Sequence, residues 1–75
     1  MAETIDPYIG EIYEDRDTRT AGRRIKIIST APSTQFYGQG YYYRRVDIYG
    51  QFVGPANRVR ISPETLARTY RKVSH

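Results

Sequence analysis

Residues 23–30 read Arg-Arg-Ile-Lys-Ile-Ile-Ser-Thr, and residues 57–61 read Asn-Arg-Val-Arg-Ile. In both runs apolar and basic side chains alternate with period two. Successive side chains on a strand point to opposite faces, so each run predicts a strand with one buried and one wet face. Ile25 and Ile27 point inward in the first, Val59 and Ile61 in the second, with Arg24, Lys26, Arg58 and Arg60 outward. A helix would scatter these side chains around its circumference, because its period is 3.6.

The segments around these two runs are short and punctuated. Residues 9–13, Ile-Gly-Glu-Ile-Tyr, read as a first short strand, after a loose lead-in over residues 1–8 in which Pro7 blocks an early helix. Residues 14–22 carry no apolar periodicity and read as a polar loop in which Asp and Thr bond nearby backbone N–H groups. After the breaker around Pro32, residues 41–49 form a long extended stretch. Its even positions include Val46 and Ile48, which are expected to face the core, so Tyr41, Tyr43, Arg45, Asp47 and Tyr49 are expected outward. Gly50 and Gly54-Pro55 mark the next turn. Ser62-Pro63-Glu64 is a helix start: serine caps, proline is preorganised at the first helical position, and glutamate suits the positive end of the dipole. The helix spans one or two turns near Leu66, and Thr69–Val73 returns as a last strand.

Five short strands with a helical turn before the last make an all-β domain. The predicted architecture is a small SH3-like five-stranded barrel, whose curled sheet limits exposed edges, and an open meander sheet is the rival. Residues 9–75 form the single domain. A chain of 75 residues buries only about 60% of the surface that it exposes unfolded, so its core is small. Cysteine is absent, which excludes a disulfide scaffold and a cysteine-ligated zinc site. No apolar run approaches the ~20 residues that span a bilayer, and no signal peptide is visible at Met1-Ala2-Glu3-Thr4. The expected localisation is cytoplasmic, with no membrane partner.

The spacing Gly10-x-Ile12-Tyr13-x-Asp15-x-Asp17-x-Arg19-x-x-Gly22-Arg23-x-Ile25-x-Ile27 resembles the opening of a group of short actinobacterial and actinobacteriophage proteins. Arg58-x-Arg60-Ile61-x-x-x-x-Leu66-x-x-x-Tyr70 is similar to that group's closing strand, helical turn and strand. The resemblance sits at the two ends and does not extend to the Tyr-rich middle, residues 31–55. It implies an SH3-like or KOW-like domain of phage origin, acting inside a bacterial host, and implies no activity.

The net charge of +4 divides unevenly. Residues 1–22 hold six acids and two arginines, and residues 23–75 hold ten bases and two acids. Either the acidic segment folds over the basic part and neutralises it, or a basic face is left for an acidic partner. Eight tyrosines accompany this charge, with Tyr37, Tyr41, Tyr42, Tyr43 and Tyr49 close together beside Phe36. Tyrosine suits half-buried sheet positions and interfaces alike.

Catalysis is not expected. The one histidine, His75, is the last residue, and Ser29, Ser33, Ser62 and Ser74 sit in no nucleophile motif. No cofactor motif is present: Gly38-Gln39-Gly40 lacks the Lys-Ser/Thr of a phosphate loop and reads as a hairpin tip or bulge. Asp15 and Asp17 are too few for a calcium site and compete with Arg16 and Arg19, so no metal is expected. They cap the loop and pair with Arg23 or Arg24, or else they form an acidic loop that grips a basic peptide.

The expected function is that of a non-catalytic binding module with a basic Tyr/Arg face. Arg24, Lys26, Tyr43, Arg45, Arg58 and Arg60 are expected to share one sheet face. Arginines bind phosphate or acidic side chains, and Tyr37, Tyr41, Tyr43 and Tyr49 supply aromatic contact. Nucleic acid is the first partner class. The alternatives are a host protein held through the Tyr-rich segment 36–49, with Tyr37–Tyr43 adding a strand to its sheet edge, and a homo-oligomer built on the Tyr-rich strand.

Overall fold

The computed structural model of the chain describes residues 9–17, 19 and 22–73. It contains five strands and one helix: β1 (Ile12–Asp15), β2 (Arg24–Ala31), β3 (Gly40–Val46), β4 (Val59–Ile61), α1 (Pro63–Thr69) and β5 (Tyr70–Lys72). All pairings are antiparallel, in the spatial order β4-β3-β2-β1-β5. The all-β class of the sequence is thus present, with one short helix before the last strand. The expected closure into a barrel is corrected. Among the described residues β4 and β5 are the two edges of an open sheet and do not pair with each other. Each has only three residues, which offers little ladder to seal a barrel, and α1 covers the core between them.

Register decides which residues share a face, because directly opposed residues lie on the same side of the sheet. Tyr13 opposes Ile25, Ile27 opposes Tyr43, and Tyr41 opposes Ile61. Tyr13, Ile25, Ile27 and Ile61 form the core with Leu66 and Tyr70, and Tyr41 and Tyr43 pack partly buried against it. Ile25, Ile27 and Leu66 are fully buried. Burying such a side chain stabilises the fold by roughly 1.5–3 kcal/mol. Tyr43 and Tyr70 meet with ring centroids 6.3 Å apart, tilted by 56°, within the separation at which aromatic pairs interact.

Three sequence expectations shift. The first strand begins at Ile12 rather than Ile9, because Gly10 turns the chain with φ +87°. The strand also runs on through Glu14 and Asp15, which were expected in the loop. Ile48 does not face the core: it is 65% exposed. The strand stops at Val46, since the Asp47 carboxylate accepts hydrogen bonds from the Tyr49 and Gln51 amides and closes a turn. Val59 stands opposite Tyr43 on the core side, yet remains 47% exposed because β4 is an edge.

α1 forms as its sequence requires. Ser62 caps α1, its hydroxyl accepting from the Thr65 amide at 3.2 Å, with Pro63 at the helix start and Glu64 in the first turn. β2 carries a bulge between Ile27 and Ser29. The extra residue, Ile28, puts Ile27 and Ser29 on opposite faces and so reverses the parity of the strand beyond it.

Candidate basic aromatic face

The side of the sheet away from α1 is the candidate site. On it Ile12 opposes Lys26, Lys26 opposes Arg44, Arg24 opposes Val46, and Ser29 and Arg60 flank Tyr42. Val46 is buried on this side. Phe52 covers it, forming an isolated bridge to Val46 as the chain returns beside β3. The Val53 amide donates to the Arg45 carbonyl at 3.1 Å and holds that return in place.

This arrangement corrects the expected outward set. Val46, which the alternation predicts on the core side of its strand, lies on the other side. Its apolar cover comes from Phe52, not from the main core. Tyr41 and Tyr43 therefore belong to the core face, and Arg45 holds the register position opposite Ile25 while remaining exposed. Arg24 and Lys26 lie on the outer face as expected, and so does Arg60 by register. Tyr42, Arg44 and Phe52 are the residues that sequence reasoning missed. Tyr42 and Arg44 share parity with Val46, and Phe52 stands alone between Gly50 and Gly54 with no period to read. The one available signal for Phe52 was its lone bulky ring between two turn glycines.

Ring–cation contacts organise the outer face. Arg44 carries its guanidinium 4.4 Å from the Phe52 ring centroid, and the Lys26 ammonium stands 5.8 Å from the same ring. Arg58 places its guanidinium 4.1 Å from the Tyr42 ring. Arg60 sits 5.5 Å from the Tyr37 ring. Arg60 also donates to the Pro32 and Gly38 carbonyls, both at 2.7 Å. Its guanidinium is thus spent on holding the loop over residues 32–39, and it positions Tyr37 rather than reaching a ligand. A groove of about 590 Å³ lies beside it, lined by Tyr37, Gly40, Ser62 and Glu64 among others.

The acids are concentrated on the other half of the sheet. Glu11 pairs with Lys72 at 2.6 Å, and Glu14 with Arg71 at 2.8 Å and Arg24 at 3.7 Å. The hydrogen bond from Arg71, helped by Arg24, holds the Glu14 carboxyl below the usual carboxylate range. Asp15 approaches Arg23 at 4.0 Å and accepts from the Asp17 amide at 2.8 Å. Asp17 in turn binds Arg19, whose side chain holds its carboxyl low. Of the two charge readings, neutralisation applies to the β1–β5 half. On the β2–β4 half, Lys26, Arg44, Arg45, Arg58 and Arg60 form no ion pair among the described residues.

The remaining aromatics lie apart. Tyr49 is 80% exposed in the turn after β3, and Phe36, also 80% exposed, stands in the loop with Tyr37. Strand addition through Tyr41–Tyr43 is closed off, because β3 pairs with β2 on one side and β4 on the other. Of the serines, Ser62 is the helix cap, and Ser74 and His75 lie outside the described residues. No helix among the described residues is long and apolar enough to cross a membrane. Comparison with protein-family models, curated proteins and solved structures finds no match.

Proposed function

We propose that this chain is a non-catalytic binding module whose basic outer sheet face holds nucleic acid. The observation that carries this reading is the segregation of charge. Glu11 and Glu14 are paired with Lys72, Arg71 and Arg24, while Lys26, Arg44 and Arg58 are left beside aromatic rings with no acid partner among the described residues. Guanidinium groups bind phosphates through paired hydrogen bonds, and an unmatched cluster of them raises the local concentration of a polyanion. The strand order, with β5 beside β1 and a helix after β4, supports an SH3-like plan. The resemblance of the two chain ends to actinobacteriophage proteins supports a phage origin and action in a bacterial cytoplasm.

Binding of labelled DNA and RNA over a salt series tests this. Each phosphate contact that this face makes adds about −0.7 to the log–log slope on single strands. Absence of binding at low salt overturns the reading. A second reading, capture of a host protein, is favoured by the exposure of Phe36 and Tyr37 on one loop. A partner that survives nuclease treatment in a pull-down, and is lost on substituting both residues, would support it.

A further inference from the structure

We infer that the outer face is built for unpaired bases, taking two neighbouring bases of a single strand on the Arg58–Tyr42 and Phe52–Arg44 stacks. The inference rests on the nucleic-acid reading above and specifies the form of the ligand.

The two stacks sit side by side. Tyr42 and Arg44 are two residues apart on β3, which places them about 7 Å apart along the strand on the same face. They are layered in opposite senses. At the first, the half-buried Tyr42 ring lies beneath and the exposed Arg58 guanidinium above, 4.1 Å away. At the second, the half-buried Arg44 guanidinium lies beneath and the Phe52 ring above, 45% exposed. The outer layer therefore offers a guanidinium plane next to a phenyl ring. Both are flat groups on which a base stacks, and both are already positioned by the group beneath.

A duplex keeps the faces of its bases inside its own stack, so it meets this surface through its backbone and groove edges and offers no base face to the stacks. An unpaired strand has free base faces, and stacking on aromatic or guanidinium planes is tolerant of sequence. The Lys26 ammonium, 5.8 Å from the Phe52 ring, stands where the backbone of such a strand would pass. The helix packs on the opposite side of the sheet, so it leaves the face open.

The test compares three labelled ligands on the unaltered protein at fixed low salt: a thymidine dodecamer, an abasic strand of the same length, and a duplex of the same length. The expected result is that the dodecamer binds at least tenfold tighter than either of the others. Phe52→Ala and Arg58→Lys, checked for folding by circular dichroism, should each weaken dodecamer binding about tenfold, with the salt slope unchanged by either. Lys26→Gln should instead flatten the slope by about 0.7. Equal affinity for the abasic strand, or for the duplex, overturns this inference and leaves the nucleic-acid reading standing. Failure of all three ligands to bind overturns both.

Discussion

The Arg44 guanidinium lies 4.4 Å from the ring of Phe52, a residue eight positions later in the chain. This contact ties the segment after β3 to the sheet and builds one wall of the basic face. It also gives Val46 its cover, since Phe52 bridges to that residue. A double-mutant cycle with Arg44→Gln and Phe52→Leu should give a coupling of about 0.5–1 kcal/mol in chemical denaturation, the range of an exposed ring–cation pair. Additive effects would show that the two groups are neighbours without interaction.

Gly40 opens β3 where the β4 backbone passes close. A Cβ at this position would stand 2.6 Å from the Ile61 carbonyl oxygen, a backbone atom that cannot swing aside. Gly40→Ala should therefore destabilise the fold by about 1–3 kcal/mol, the usual cost of overpacking. Gly38→Ala, two residues earlier, meets nothing within 4 Å and serves as the control. Urea midpoints of the pair check the difference.

Arg60 fastens the loop over residues 32–39 through two carbonyls. Arg60→Met should cost about 1–3 kcal/mol and increase proteolytic nicking of that loop, because a charged hydrogen-bond donor is lost from both ends of it. Salt slopes for nucleic acid should stay unchanged, in contrast with Arg58→Gln, which should flatten them.

Stability should fall at both ends of the pH scale. Glu14 is held below the ordinary carboxylate range by Arg71 and Arg24, so its contribution is present above that range and is lost as pH falls through the lowered value. Tyr70 is pushed up from about 10, first by burial and then by Tyr43 beside it. Its contribution is full below about 10 and is lost as pH rises from there through the raised value. Thermal melts from acid to alkali should show both flanks. Glu14→Gln should flatten the acid one, and Tyr70→Phe the alkaline one.

Ser62→Ala removes the oxygen that accepts from the Thr65 amide. The expected cost is about 1 kcal/mol, and Ser62→Asp should recover it, since a carboxylate caps equally well and complements the dipole. Urea denaturation of the two variants decides this.

Local chemistry was enough to determine several elements. The alternation around Ile25 and Ile27 gave β2 its buried side, because period two permits no other way to hide both isoleucines. Ser62-Pro63-Glu64 located the start of α1 for reasons confined to three residues. The alternation at Arg58–Ile61 likewise put both arginines on the side away from the core. Residues 41–46 are different: both parities carry rings and both carry basic or apolar groups, so no local pattern chooses a side. That choice came from register and from a distant cover. β3 pairs Tyr43 with Ile27 and Tyr41 with Ile61, while Phe52 returns to shield Val46 on the opposite face. Three-residue edges left the sheet open, and Glu11 and Glu14 pair with Lys72, Arg71 and Arg24, whereas Lys26, Arg44 and Arg58 form no ion pair among the described residues. A chain of 75 residues can specify each short strand by its own period. Which tyrosines are core, and which arginines lack an acid partner among the described residues, depends on contacts between strands, and only the tertiary structure supplies them.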